Sequence, residues 1–206
     1  MNSPHKKNDF DKNKERPYLQ YSAIELSVLV DNNKENTQVL HAVLIELLHR
    51  KTRLAKKLRT RIIFLLFEFH ESQFRRPSSE VTSSKFNLEF IDVIEIGLLS
   101  IVGYHAGNNG LPKDERQKIL DLVYLIQLPI KKQNDYIKSW GKERSATRLK
   151  KMANSLAAFA RNAKRNKSGD YSNAINDWES DLMYLKKNYY EKKYDFEWPK
   201  SYSIIL

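Results

Sequence analysis

The sequence predicts an all-α protein, a helical bundle that ends in a C-terminal antiparallel αα-hairpin. Several segments repeat apolar residues every three or four positions, the spacing that places side chains on one face of a helix. Only six glycines and six prolines are spread over 206 residues, which argues against the many tight turns of a β-rich fold. A chain of this length buries a sufficient core without a disulfide or a structural metal.

The charge balance is strongly basic: 36 lysines and arginines exceed 25 aspartates and glutamates, giving a formal net charge of +11. Such an excess favours polyanionic partners, either nucleic acid or an acidic protein. The sequence has no cysteine, which excludes disulfides, cysteine nucleophiles and thiolate zinc sites. No apolar run reaches the roughly 18 residues of a membrane-spanning helix, and residues 1–16 are too polar for a signal peptide. We therefore expect a cytoplasmic protein without a membrane partner.

Composition divides the chain into four predicted regions. Residues 1–17 are charged and nearly free of aliphatic side chains, which is typical of a disordered arm. A smaller helical part follows over 18–70. Pro77 and a cluster of serines indicate a linker at 71–85. The remaining residues, 86–206, are predicted to form the larger C-terminal helical bundle.

The N-terminal part begins with a capping-box pattern, Ser22 followed by Glu25, which predicts a short helix that runs to about Val30. A second helical pattern of apolar residues starts near Thr37. The polar and mostly basic residues 49–53 interrupt the row of apolar residues in this pattern. Either one long helix crosses this interruption or two helices meet there.

A cationic belt surrounds the interruption and is a candidate nucleic-acid contact, above all through Arg50, Lys51 and Arg53. Its basic residues are too dense for one helix face, so some are expected to contact protein and to need acidic partners. The members of the belt are Arg50, Lys51, Arg53, Lys56, Lys57, Arg59 and Arg61. Glu46 and His49 have the Glu-x-x-His spacing of di-iron bundles, but such sites require two copies of it and this sequence has one.

Residues 86–104 are the most hydrophobic segment and are predicted to form a core helix. Within it Glu89, Asp92 and Glu95 recur every third residue and share one side of a helix. Three carboxylates in this arrangement suit a metal site or an acid–base set. We favour the alternative that they pair with arginines of the cationic belt, because buried acids need such partners.

A turn is predicted over Gly103–Gly110, where the glycines suit the end of a helix. This segment lacks the Gly-Lys-Ser/Thr ending of a phosphate-binding loop. His105 within it is interpreted as a capping or packing residue instead of a catalytic one. Pro112 suits the first turn of the next helix, and Pro129 is expected to stop that helix.

The helix predicted from Ser145 to Lys167 is the main candidate binding surface. Ser145 is a suitable N-cap, and one side carries an apolar stripe made of Leu149, Met152, Leu156, Phe159 and Ala163. The opposite side is basic, with no acidic residue between Arg144 and Lys167. The candidate nucleic-acid contacts on this helix are Arg148, Lys151, Asn154, Arg161, Asn162, Lys164 and Arg165.

A second helix with the same apolar spacing follows the turn at 166–172, which predicts the αα-hairpin. Its stripe consists of Ile175, Trp178, Leu182, Leu185 and Tyr189. This helix also carries acidic residues, so some ion pairs between the two helices are expected. The aromatic residues of 196–198 and the apolar end at 204–206 are predicted to dock on the core.

Five short motifs lie in the C-terminal half: GYHxG at 103–107, WGxxxSxxRL at 140–149, RNAKR at 161–165, WExDL at 178–182 and FxWP at 196–199. With these motifs and Arg116, residues 86–200 resemble a family of bacterial all-helical proteins, and residues 49–53 resemble it more weakly. The resemblance implies a helical fold and an association with accessory proteins of bacterial DNA-processing or antiviral defence loci. It implies no activity.

We expect a non-catalytic nucleic-acid-binding protein that contacts the phosphate backbone through the basic helix, with DNA favoured over RNA. No enzyme activity, cofactor or metal is expected, since no catalytic motif such as Gly-x-Ser-x-Gly is present. The alternative is a protein-interaction subunit of a larger complex. Its basic face would dock on an acidic partner, with the aromatic C-terminal segment in the interface. Positive charge serves both functions, so the sequence leaves both open.

Overall fold

The computed structural model describes residues 16–74, 97–128, 135–166, 168–191 and 193–202. The chain forms two compact units, Met1–Gln73 (unit 1) and Phe74–Leu206 (unit 2). Every regular element among the described residues is helical and none is a strand, which confirms the all-α prediction.

Parts of the predicted regions fall outside the described residues. These are residues 1–15 of the expected arm, 75–85 of the expected linker, and 86–96 of the expected core helix. Residues 71–74, the start of the expected linker, instead belong to a helix.

Unit 1 contains three described helices, α1 (Ala23–Asn32), α2 (Thr37–Leu48) and all but the last residue of α3 (Arg53–Phe74). The capping box of α1 is formed by two hydrogen bonds: Glu25 N donates to Ser22 Oγ at 3.2 Å, and Ser22 N donates to Glu25 Oε2 at 2.6 Å. Of the two arrangements that the sequence allowed at 49–53, the structure has two helices. The interruption of the apolar stripe is therefore a turn.

The core of unit 1 draws fully buried side chains from all three helices, and charged groups close one edge of it. The buried apolar residues include Leu26, Val30, Leu40, Val43, Leu44, Leu47 and Ile62. Glu46, only 2% exposed, accepts hydrogen bonds from Arg16 at 2.9 Å and from Arg50 at 2.8 Å. Burial acts to raise the pKa of Glu46, but these donors hold it below its ordinary value of 4.5. Both carboxylate oxygens thus bond to arginines.

Unit 2 contains five described helices: α4 (Leu98–Ile101), α5 (Lys113–Leu125), α6 (Asp135–Lys138), α7 (Ala146–Arg165) and α8 (Ser172–Leu185). A π-helical turn, Lys186–Tyr190, extends α8. Among the described helices, α7 and α8 share the most extensive contact. No described helix is both long enough and apolar enough to cross a membrane.

The buried face of α7 departs from the predicted stripe at its C-terminal end. Leu149, Met152 and Leu156 are fully buried as expected, but Phe159 and Ala163 are only half-buried. The buried positions in their place are alanines, namely Ala153, Ala157 and Ala160. Small side chains let α7 lie close to its neighbours, while Phe159 lies at the edge and packs on Trp178 of α8, with ring centroids 5.7 Å apart.

Candidate nucleic-acid interface

The face of α7 opposite its buried stripe is polar and cationic along the whole helix. Ser145 caps the helix by accepting a hydrogen bond from Arg148 N at 3.2 Å. Side chains at positions three, four, seven and eleven apart fall on one side of a helix. The face consists of Lys150, Lys151, Asn154, Ser155, Ala158, Arg161, Asn162 and Arg165, all exposed or half-buried. We call this set the α7 face.

A groove of about 620 Å³ lies along the first half of the α7 face. We call it the α7 groove. Of the described residues that line it, none is acidic. They are Ser139, Ala146, Thr147, Lys150, Lys151, Asn154, Ser155, Ala158 and Phe196.

The two lysines of the groove lie beside aromatic rings. Lys151 Nζ is 5.1 Å from the ring centroid of Tyr136 and 5.4 Å from that of Trp140, and it bonds to the Ser139 hydroxyl. Lys150 Nζ is 5.8 Å from the ring centroid of Phe196. A cation over an aromatic face is attracted to it by about 0.5–1 kcal/mol at exposed sites. These contacts favour positions of both ammonium groups within the groove.

Phe196 forms the aromatic wall of the groove and is itself supported by other rings. Its ring centroid lies 4.8 Å from that of Tyr190 and 6.0 Å from that of Trp198, the latter nearly parallel at 23°. The Tyr190 hydroxyl donates to the Phe196 carbonyl, which fixes the backbone at the same point. The segment around Phe196 is held on the rest of unit 2 by the Tyr194 hydroxyl, which donates to the Arg144 carbonyl at 2.6 Å, and by Arg161, which donates to the Lys200 carbonyl. The expected docking of 204–206 lies outside the described residues.

Arg148 is a correction to the predicted interface, because it is 1% exposed. Its guanidinium donates to the carbonyls of Val123 at 3.0 Å, Ile126 at 2.7 Å and Trp140 at 3.2 Å, and also to that of Gly141. Burial lowers its pKa. Arg148 thus joins the end of α5 to the turn before α7 and is not available to a phosphate.

The remaining predicted contacts on α7 differ in their surroundings. Lys164 lies toward α8 and forms an ion pair with Glu179 at 2.6 Å, one of the expected pairs between the two helices. Arg161 donates to the carbonyl of Lys200, and its side chain remains half-exposed. Asn154, Asn162 and Arg165 are exposed.

The predicted contacts in the cationic belt lie in unit 1. Arg50 is a structural residue there: besides Glu46, it donates to the carbonyls of Tyr18 at 3.0 Å and of Tyr21. Lys51 and Arg53 are exposed.

The acidic partners of the belt include Glu46 for Arg50 and Asp31 for Arg61. Glu89, Asp92 and Glu95, which the sequence suggested for this role, lie outside the described residues. Among the residues that the structure does describe, no cluster of three or more histidine or carboxylate side chains is arranged to hold a metal ion.

A buried ionic network in unit 2 was not predicted. Arg116 Nε donates to Asp181 Oδ2 at 2.7 Å, and the Tyr104 hydroxyl donates to the same oxygen at 2.7 Å. Arg116 also pairs with Asp177 at 2.8 Å and donates to the carbonyl of Leu111 at 2.8 Å. Burial and the nearby Asp181 carboxylate raise the pKa of Tyr104. We call these groups the Arg116 network.

The Arg116 network gives a structural role to residues of two sequence motifs, GYHxG and WExDL. Tyr104 and Gly107 come from GYHxG and Asp181 from WExDL, and Gly107 N donates to Asp177 Oδ2 at 2.9 Å. Gly107 has a φ of +93°, a conformation that strains residues with a side chain, and a Cβ there would lie tightly against the Ala174 Cβ at 3.1 Å, so glycine suits this position. The His105 side chain is exposed, and its carbonyl accepts a hydrogen bond from Leu111 N at 3.0 Å. Hydrogen bonds of these motif residues therefore connect the loop before α5 to α8.

The groove contains four residues that were not predicted to lie at the interface: Lys150, Ser155, Thr147 and Phe196. The first three follow from the helical spacing of the face, since they lie next to Lys151 and Asn154 around α7. Phe196 is separated from Lys150 by 46 positions, and the sequence marked it as part of the FxWP motif and of the aromatic C-terminal segment but not as a neighbour of α7. Comparison of the chain with protein-family models, with curated proteins and with solved structures finds no match.

Proposed function

We propose that the protein binds nucleic acid through the α7 face without catalysing a reaction, as an accessory factor in bacterial DNA processing or defence. The observation that supports this most is the α7 groove, which has two lysines, amide and hydroxyl groups and no acidic residue among its described lining. A polyanion meets no repulsive charge there. Phosphate contacts of this kind supply most sequence-independent affinity for nucleic acid.

The α7 face has the length that backbone binding requires. From Lys151 to Arg165 it covers about 21 Å of helix at 1.5 Å per residue. Lys151, Arg161 and Arg165 are distributed along this distance, so they can contact several phosphates of one strand. Asn154 and Asn162 add amide groups that donate to phosphates and pair with base edges.

Reversing the charge of Arg161 and Arg165 to glutamate is expected to lower nucleic-acid affinity several-fold. Both side chains belong to the second half of the α7 face, and each replacement converts an attraction to phosphate into a repulsion. Fluorescence anisotropy with a labelled oligonucleotide measures the effect, and circular dichroism checks that the helical content is unchanged.

The comparison variant is Lys51→Glu with Arg53→Glu in unit 1, which changes the net charge by the same amount. It is expected to bind nucleic acid more tightly than the α7 variant, Arg161→Glu with Arg165→Glu. If it loses affinity while the α7 variant does not, the interface lies on the cationic belt.

The protein-interaction alternative is distinguished by salt dependence. Phosphate contacts release condensed counterions, so the logarithm of the affinity falls steeply and linearly with the logarithm of the salt concentration. An acidic protein surface carries no comparable layer of condensed ions.

A further inference from the structure

We propose that the α7 groove receives unpaired bases, which makes a single-stranded segment the preferred ligand. This inference rests on the proposed nucleic-acid function and adds the class of substrate. It is carried by the position of an aromatic ring, Phe196, in the same groove as Lys150, Lys151 and Asn154.

The groove combines the two parts that sequence-tolerant single-strand binding uses. Cations follow the phosphate backbone, and aromatic rings stack with bases, since every base has a π-face. Lys150 Nζ lies over the Phe196 ring, 5.8 Å from its centroid, so a base that stacks on Phe196 displaces this ammonium from the ring face, and the ammonium then lies within reach of the phosphate of that nucleotide. Contacts with Tyr190, Tyr194 and Trp198 hold the Phe196 ring in position before the ligand binds.

The bases of a duplex cannot stack on Phe196. They are stacked on their neighbours, so their faces are covered, and unstacked bases occur in single strands, loops and ends. The groove volume of about 620 Å³ lies within the range of about 300–1,000 Å³ typical of pockets for small molecules. This size suits one or two nucleotides.

Polar groups on the groove wall complete the site. Asn154 presents a side-chain amide, and Ser139, Thr147 and Ser155 present hydroxyls. The Asn154 amide and the Thr147 hydroxyl both donate and accept hydrogen bonds, whereas the Ser139 and Ser155 hydroxyls donate to the carbonyls of Tyr136 and Lys151 and serve a base as acceptors. The groove is thus expected to accept several bases without a strict sequence preference.

The test compares a labelled single strand with a strand of equal length and charge in which central nucleotides lack their bases. Wild-type protein is expected to bind the base-bearing strand about fivefold or more tightly, which corresponds to stacking of at least one base. Parallel series in DNA and RNA identify which backbone is preferred. This comparison needs no variant and therefore does not depend on a mutant's folding.

Variants then assign the effect to Phe196. Phe196→Leu is expected to lose the preference for the base-bearing strand and to bind the abasic strand as wild type does. Phe196→Trp is expected to keep the preference because it restores a stacking ring. Tyr171→Leu, which removes an exposed ring beyond the other end of α7, is expected to behave as wild type.

The outcomes separate this inference from the proposed function. Equal affinity for the base-bearing and abasic strands would overturn base stacking, while phosphate binding on the α7 face would stand. Tighter binding of duplex than of single strand would also overturn it. Failure to bind any of these strands would remove the proposed nucleic-acid function itself.

Discussion

Replacing Arg116 with methionine is expected to lower the free energy of unfolding of unit 2 by about 3–5 kcal/mol. Methionine keeps much of the apolar volume but removes the guanidinium that pairs with Asp177 and Asp181. Asp181 has no exposed surface, and its Oδ1 already has no hydrogen-bond partner in the structure. The variant therefore leaves a buried carboxylate that keeps the hydrogen bond from the Tyr104 hydroxyl but loses the guanidinium that balances its charge.

Urea unfolding followed by tryptophan fluorescence is the appropriate measurement. All three tryptophans, Trp140, Trp178 and Trp198, belong to unit 2, so their emission reports on that unit. Lys118→Met is the matched control on the same helix, because Lys118 pairs with Asp114 at 2.9 Å on the surface. An exposed pair of this kind contributes about 0–1 kcal/mol. If the two variants lose equally little stability, the Arg116 network does not stabilise unit 2.

Changing Lys150 and Lys151 together to glutamate is expected to reduce nucleic-acid affinity by more than tenfold at physiological salt. These lysines supply the positive charge of the α7 groove, and their reversal places two carboxylates beside the expected phosphate path. Loss of two phosphate contacts is also expected to make the log–log salt slope less steep by about 1.4–1.8. Anisotropy titrations at several salt concentrations measure both effects.

The matched control for the lysine pair is Lys56→Glu with Lys57→Glu in unit 1. These are also adjacent lysines, both are exposed, and their reversal changes the net charge by the same amount. It is expected to leave the salt slope nearly unchanged. Equal losses in the two variants would show that overall charge governs binding and that the α7 groove has no special part in it.

Local features of the fold were predictable from sequence because they depend on neighbouring residues. Ser145 caps α7 and Ser22 forms a capping box with Glu25, as their spacing predicted. Leu149, Met152 and Leu156 face the core for the same reason. The predicted stripe was wrong at Phe159, which is only half-buried. An α-helix repeats every 3.6 residues and not every 3.5, so positions seven residues apart rotate progressively away from the buried side.

Interactions between distant parts of the chain could not be predicted in this way. A helical pattern places Arg148 at the margin of the basic face but does not show that the carbonyls at the end of α5 and before α7 surround it. In the Arg116 network, likewise, Asp181 binds Arg116, which precedes it by 65 positions, and Tyr104, which precedes it by 77 positions. The residue types were visible in the motifs, whereas their pairing depends on how the helices pack.

The central claim is that the α7 face binds nucleic acid, and the most direct test is an anisotropy titration of the purified full chain at increasing salt. Labelled single-stranded DNA, single-stranded RNA and duplex DNA serve as ligands. We expect submicromolar binding that persists at physiological salt, a steep linear log–log slope and a preference for single strands. Weak binding of all three ligands that vanishes by physiological salt would contradict the claim, and the α7 face would then be assigned to an acidic protein partner.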